Sequence, residues 1–173
     1  MKSLLLIILV LPMLFMGVSS CEKKDYPAGL DSLAHHYYAI FVPNNNTSVT
    51  VPRTQTALVK FPVQFYSTFI RDYNAVAKYA VVTTGITPAA VLGVDFYVVD
   101  KSGNVILPPP GGDPVFDMIF PQAKQAMDTI YLKMLNNPAP GARKFEIQIQ
   151  DNRTAQYDVD IFSTAYRRPV TIN

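Results

Sequence analysis

Alternating apolar and polar positions recur along the chain after residue 35, and they predict short β-strands. The clearest alternation is Lys144–Gln150, whose odd-numbered positions are Phe145, Ile147 and Ile149. In Ala57–Tyr66 every odd-numbered position is likewise apolar. Residues of one parity share one face of a strand, so each stretch predicts a strand with one buried face. Pro62 cannot donate a backbone hydrogen bond, and it therefore predicts an edge position or a bulge.

Other apolar segments are bounded by Pro, Gly or Asn, which end strands. They predict strands at Tyr37–Val42, Val76–Val82, Val94–Val99, Val105–Leu107, Val115–Phe120, Thr129–Leu135, Tyr157–Phe162 and Arg168–Ile172. The one stretch with helical character is Gln122–Met127. From these ten candidate segments we expect about eight or nine short strands with almost no helix, which predicts an all-β fold, an antiparallel sandwich or barrel.

The N-terminus has the pattern of a secretory signal. Lys2 precedes an apolar run, Leu4–Met16, and charge returns at Glu22–Asp25. A positive residue, an apolar core and small residues before a cleavage point are the marks of such a signal. The run is shorter than the roughly 20 apolar residues that a transmembrane helix needs. The pattern predicts that residues 1–20 are removed.

The segment Val18-Ser19-Ser20-Cys21 resembles the bacterial lipobox, in which small residues precede a lipid-modified cysteine. The resemblance implies cleavage before Cys21 and a covalent lipid, with palmitate among its acyl chains, on the Cys21 sulfur. Two acyl chains would anchor the protein stably on a membrane. The alternative is an ordinary secretory signal with an unrelated cysteine beside its cleavage site.

Cysteine count and charge exclude several classes of function. Cys21 is the only cysteine, so the chain can form no internal disulfide and no cysteine-rich zinc site. Without Lys2 the chain has 14 Lys and Arg against 13 Asp and Glu, which gives no basic surface for nucleic acid. Residues 21–33 are expected to form a lipidated tether, and residues 34–173 a single domain of ordinary size.

Part of the domain resembles a Calx-beta module, which is an immunoglobulin-like β-sandwich. The resembling residues are Tyr79–Gly85, a strand ending in a small-residue turn, and Ala89–Phe96, which contains a Gly-x-Asp-Phe step. Thr129–Lys133 and Lys144–Ile149 resemble the paired strands of that family. The resemblance covers the chain from residue 57 onward and implies an antiparallel immunoglobulin-like sandwich. Acidic residues are scattered here, whereas calcium-binding members cluster them, so no metal or other cofactor is expected.

The whole chain also resembles the small lipoproteins that Bacteroidota make in large numbers, often beside glycan-uptake systems. The resemblance implies export and anchoring, most simply in the outer membrane, with the periplasmic or the surface face left open. It also implies a glycan or another surface protein as partner.

Polar side chains that could perform chemistry are few. His35 and His36 are adjacent, and neighbouring residues on a strand point to opposite faces, so they cannot chelate one metal ion together. Asp158 and Asp160 share a face, about 7 Å apart, and solvated pairing with Arg167 or Arg168 is the simplest role for them. No set of nucleophile, base and orienting group is evident, so no catalytic residue is assigned.

Exposed aromatic rings are the candidate ligand contacts. Tyr66 ends the predicted strand Ala57–Tyr66, Phe69 and Tyr73 lie in the segment that follows it, and all three are assigned as ligand-binding residues. Other rings nearby must fill the core, since a domain of this size needs that burial.

The sequence therefore predicts a membrane-tethered, non-enzymatic binding or adhesion module, with glycan uptake as one setting. The first alternative is a structural subunit of a surface assembly, joined through an exposed strand edge. A hydrolase is the second alternative, and it would require a deep pocket with convergent polar groups.

Overall fold

The computed structural model describes residues 34–110 and 114–173. The predictions for residues 1–33, namely the signal, Cys21 and the tether, lie outside the described residues. No helix in the described ranges is long and apolar enough to cross a membrane.

Eleven strands form in the described residues, and nine of them have at least four residues. In chain order they are β1 (His36–Phe41), β2 (Val49–Val51), β3 (Val59–Tyr66), β4 (Ala75–Val82), β5 (Phe96–Val99), β6 (Val115–Phe120), β7 (Ala126–Met134), β8 (Arg143–Gln150), β9 (Asn152–Arg153), β10 (Asp158–Ile161) and β11 (Arg167–Ile172). A short 3-10 turn, Pro121–Ala123, follows β6.

The strands form two sheets. The six-stranded sheet has the order β5-β7-β3-β1-β10-β9, and the five-stranded sheet has the order β2-β11-β8-β4-β6. Most neighbours are antiparallel, but β1 pairs with β10 in parallel, and β2 pairs with β11 in parallel. The predicted all-β sandwich is confirmed, although its pairing is not wholly antiparallel.

The core lies between the two sheets and is built from the predicted apolar parities. On β3 the residues Val59, Phe61, Val63 and Phe65 are all buried. Rings from opposite sheets stack there: Phe65 lies 4.3 Å from Phe120, and Phe96 lies 4.1 Å from Phe145, between ring centroids. Burial of large aromatic side chains from both sheets makes the two sheets one folding unit.

The prediction that Pro62 marks an edge or a bulge was wrong, because β3 lies between β1 and β7. The N–H of Val42, the residue after β1, donates to the Pro62 carbonyl at 2.9 Å. In an antiparallel pair both polar groups of a residue face the same neighbour. The polar backbone groups of Pro62 therefore face Val42, just beyond the end of β1, and not β7. The missing N–H costs one hydrogen bond at that position and none in the ladder with β7.

Three other predictions were wrong. The expected helix Gln122–Met127 is the turn at Pro121–Ala123 followed by the start of β7. The expected strand Val105–Leu107 makes only an isolated bridge, between Val105 and Val99. β7 and β8, expected to pair, lie in different sheets, because the connection between them crosses the sandwich.

One end of the sandwich, named here the His35 end, includes the start of β1 and the loop of residues 67–74. The carbonyl of His35 accepts the Asp158 N–H at 3.0 Å, so β1 and β10 begin there together. The Arg71 N–H donates to the Gln122 carbonyl at 2.7 Å, which ties the loop to the turn after β6.

Candidate functional site

The alternation of β1 places two sets of side chains on opposite faces of the six-stranded sheet. Tyr37, Ala39 and Phe41 point into the core and are almost fully buried. His36 and Tyr38 have the other parity and point outward, toward solvent. The strand therefore supplies one aromatic ring to the core and another to the surface, from adjacent positions.

Three exposed aromatic rings lie on the outer side of this sheet, and we name them the aromatic face. Tyr38, Tyr66 and Phe162 are 38%, 44% and 46% exposed. Tyr38 is directly opposite Tyr66 across the β1–β3 pair. The rings of Tyr38 and Phe162 meet edge to face, with centroids 5.0 Å apart. Rings from three neighbouring chain segments thus share one solvent-accessible surface.

A charged cluster adjoins the aromatic face on β1 and β10. His36 Nε2 lies 3.4 Å from Asp158 Oδ2, and His36 Nδ1 lies 3.2 Å from Asp160 Oδ2. Arg153 Nη2 lies 3.6 Å from Asp160 Oδ1. Asp160 is also the register partner of Tyr38, so a carboxylate stands directly beside an exposed ring.

The structure corrects the partners expected for the two aspartates. Asp158 and Asp160 do share a face, but they contact His36 and Arg153 rather than Arg167 and Arg168. Arg167 Nη1 lies 3.7 Å from Glu146 Oε1 in the other sheet. The Arg168 guanidinium is buried over the Phe41 ring and donates to the carbonyls of Pro43 and Asn45. Its removal from water lowers the pKa of Arg168.

His35 and His36 diverge, as their adjacency predicts. His35 Nδ1 lies 2.6 Å from the Tyr73 hydroxyl, on the side away from the charged cluster. Within residues 34–110 and 114–173, no three His, Cys, Asp or Glu side chains are grouped as metal ligands would be.

The three assigned ligand contacts occupy different surroundings. Tyr66 belongs to the aromatic face, at the end of β3. Phe69 is 43% exposed on the loop of residues 67–74. Tyr73 is half-buried: its ring stacks on Tyr157 at 5.5 Å, and its hydroxyl lies 2.6 Å from that of Tyr37. Desolvation raises the pKa of Tyr73 most, and the hydrogen bond with Tyr37 raises it further. Tyr73 thus supports the interior, and its assigned role in binding stays a prediction.

Asp95, in the Gly-x-Asp-Phe step, is a buried carboxylate with a structural network. Its Oδ2 accepts the Val91 N–H at 2.7 Å, and its Oδ1 accepts Asn137 Nδ2 at 2.7 Å. Arg143 Nε lies 3.8 Å from Oδ1. The side chain therefore ties the loop before β5 to the loop after β7. This network lies away from the His35 end and provides no open ligand position.

The space between the sheets offers little to a substrate. The gap lined there by apolar side chains together with Lys78 and Tyr79 has no room for a water molecule. A hydrolase needs convergent polar groups around the reacting bond, which this lining does not supply. Among the described residues, the aromatic face is therefore the surface best suited to a ligand.

The arrangement of strands is similar to that of two solved domains. The apo-form Calx CBD1 domain is 13% identical, with a TM-score of 0.48, over 79% of this chain and 97% of that one. The Calx CBD2 domain is 10% identical, with a TM-score of 0.46, over 78% of this chain and 85% of that one. A family 123 glycoside hydrolase from Clostridium perfringens is 10% identical, with a TM-score of 0.31, over 73% of this chain and 23% of that one.

No protein-family model and no curated protein matches this chain. Identities of this size carry no inference about a shared ligand or activity, so the function has to be argued from the site itself.

Two members of the aromatic face were not assigned from the sequence, although their signal was present. Tyr38 has the opposite parity to Tyr37, which the structure buries in the core. Phe162 has the parity of Asp158 and Asp160, two positions beyond the second aspartate. The sequence could not show that β1 pairs with β10 in parallel. That pairing brings together residues more than 120 positions apart, as the contact between His36 and Asp160 shows.

Proposed function

We propose that this protein is a lipid-anchored, non-catalytic binding module that binds carbohydrate on its aromatic face. The observation that supports this is the grouping of Tyr38, Tyr66 and Phe162, each more than a third exposed, on one side of a sheet. Exposed aromatic rings on neighbouring strands keep apolar surface in contact with water until a partner covers them. A sugar ring presents an apolar C–H face of comparable size to an aromatic ring.

The charged cluster supplies the polar part of such a site. Carboxylates accept hydrogen bonds from sugar hydroxyl groups, and Asp160 stands beside Tyr38 in the sheet register. His36 and Arg153 contact Asp158 and Asp160, which fixes the position of the carboxylate oxygens. An open aromatic surface with hydrogen-bond acceptors at its margin suits an extended glycan better than a small molecule that needs an enclosed pocket.

The test is glycan-array binding by residues 22–173, followed by alanine substitution of each aromatic residue. We expect Tyr38→Ala, Tyr66→Ala and Phe162→Ala each to weaken binding to the selected glycan by about tenfold, as loss of a central contact does. The matched control is Leu107→Ala, since Leu107 is 78% exposed and lies outside the face. Unchanged affinity in all three variants would exclude the aromatic face as the binding surface.

The anchor is tested separately at Cys21. Cys21→Ala is expected to abolish metabolic labelling with palmitate and to release the protein from membranes, because the acyl chains provide the attachment. Labelling that persists in the variant would contradict the lipobox interpretation.

An exposed strand edge supports the structural-subunit alternative. β6 is an edge strand and pairs, within the described residues, with β4 alone. The Val81 N–H donates to the Pro114 carbonyl, so the backbone groups of Val115, Asp117 and Ile119 point away from β4. Ile119→Pro would block pairing at this edge without removing a bond to β4. If assembly of the protein on cells is unaffected by Ile119→Pro, this edge is not used.

A further inference from the structure

The loop of residues 67–74, at the His35 end, presents two neighbouring apolar side chains to solvent. Phe69 is 43% exposed and Ile70 is 62% exposed. Isolated apolar residues on a surface are ordinary, but an aromatic and an aliphatic side chain adjacent in one loop form a compact apolar patch. Neither belongs to the aromatic face or to the core.

The backbone of this loop is held in place. The Ser67 hydroxyl donates to the Phe69 carbonyl at 2.8 Å. The Arg71 N–H donates to the Gln122 carbonyl, and the Gln122 N–H donates to Asn74 Oδ1 at 3.1 Å. The Arg71 guanidinium lies over the Phe69 ring, 5.2 Å from its centroid. The loop therefore has this conformation before any partner binds, and little order has to be gained on binding.

The loop stands where the chain joins the segment that carries Cys21. The hydroxyl of Tyr73, near the end of the loop, lies 2.6 Å from Nδ1 of His35, near the beginning of the domain. Ala34 is the thirteenth residue after Cys21. A segment of that length spans at most about 45 Å even when fully extended. A lipid on Cys21 would thus hold the His35 end within about 45 Å of the bilayer.

We propose that Phe69 and Ile70 insert into the interfacial region of the membrane to which the protein is anchored. This inference relies on the lipid anchor of the proposed function. Aromatic and aliphatic side chains bury favourably at the boundary between headgroups and acyl chains, and Arg71 beside the ring suits the phosphate layer.

Asp72 follows Arg71, so the charges of the loop balance. Apolar insertion, not attraction to anionic lipid, therefore drives the contact, and neutral phosphatidylcholine is sufficient. The insertion fixes the orientation of the domain relative to the bilayer.

The chain contains no tryptophan, so a single introduced one reports on its own position. Phe69→Trp is made in the full lipidated chain and reconstituted into phosphatidylcholine vesicles with or without brominated acyl chains. We expect the brominated lipid to quench this tryptophan at least about twofold more strongly than one introduced by Leu107→Trp, since only the former is buried among lipids. Leu107 is a stringent control: it is the more exposed residue, and it follows Ile106, whose N–H donates to Val98 on the far edge of the sheet.

Circular dichroism confirms that both variants are folded, and Ile70→Trp provides a second reporter in the same loop. Vesicle flotation separates the two proposals. A chain that floats with vesicles but whose Phe69→Trp and Ile70→Trp signals are quenched no more than the Leu107→Trp signal overturns the insertion and leaves the anchor standing. A chain that does not float overturns the anchor and the insertion together.

Discussion

Buried polar residues in this domain are few, and Asp95 shows what one of them contributes. Its carboxylate is 5% exposed and accepts hydrogen bonds from the Val91 backbone and the Asn137 side chain. Its removal leaves both donors without a partner inside the protein, and such groups cost about 1–3 kcal/mol each.

We therefore expect Asp95→Ala to lower the free energy of unfolding by about 3 kcal/mol, measured by urea denaturation at pH 7. Asp117→Ala is the matched control, because Asp117 is an exposed aspartate on β6, and it should change stability by no more than about 0.5 kcal/mol. Equal effects of the two substitutions would show that the network of Asp95 does not stabilise the loops.

Tyr79 gives the protein a dependence on alkaline pH. It is 5% exposed and stacks on Phe116. Desolvation raises the pKa of Tyr79, and the charges of Asp128 and Asp117 raise it further. A pKa raised in the folded state means that stability is full below the ordinary tyrosine pKa of about 10 and is lost as the pH rises above it.

Thermal unfolding from pH 7 to pH 11 should show this loss in the natural protein and a smaller loss in Tyr79→Phe, which has no phenol to ionise. The two proteins should differ mainly above about pH 10. If their melting temperatures fall in parallel there, the ionisation of Tyr79 is not coupled to unfolding.

At the scale of single elements, β3 allows a direct test of the two faces of a strand. Phe65 is fully buried and stacks on Phe120, whereas the next residue, Tyr66, is 44% exposed. Phe65→Ala is expected to cost about 3–5 kcal/mol of stability, as loss of a buried ring does. Tyr66→Ala should cost less than about 1 kcal/mol, because its ring already contacts water. A large loss in Tyr66→Ala would mean that Tyr66 is a core residue, and the aromatic face would lose a member.

The same strand shows how far the sequence could predict the fold. Alternation along β3 and β8 specified which side chains are buried, because that depends on local parity alone. The environment of Pro62 could not be predicted, since it depends on where β1 ends, and that strand is 20 residues away in sequence. The two- and three-residue strands β9 and β2 were missed for a similar reason: they are too short to show alternation and form against partners already in place.

The candidate site was predicted in part. Tyr66, at the end of a predicted strand, and Phe69, in the segment after it, were both selected, and both are exposed in the structure, but only Tyr66 belongs to the aromatic face. Tyr73 was selected by the same reasoning, yet it packs against Tyr157. The difference lies in the contacts of Tyr73 with Tyr37 on β1 and with Tyr157 in the loop before β10, which no local sequence pattern predicts. The pairing of β1 with β10 likewise assembled the aromatic face from distant positions.

At the scale of the whole molecule, the two sheets depend on each other because the chain crosses between them repeatedly. The consecutive strands β3 and β4 lie in different sheets, and the consecutive strands β7 and β8 do too. The stacked pairs Phe65–Phe120 and Phe96–Phe145 each join one sheet to the other. Neither sheet has an apolar face that remains covered when the other is absent. A partly folded state with one sheet intact would expose the whole core.

Residues 22–173 should therefore unfold in a single cooperative transition. We expect the urea transitions followed by far-ultraviolet circular dichroism, which reports on the sheets, and by tyrosine fluorescence, which reports on packing, to coincide. Addition of a reductant should leave the midpoint unchanged, since Cys21 is the only cysteine and lies outside this fragment. The single core joins strands from residue 37 to residue 172, so its loss at any point uncovers the remainder. Two separate transitions would show that one sheet persists alone, and the account of inter-sheet stacking as the source of cooperativity would be wrong.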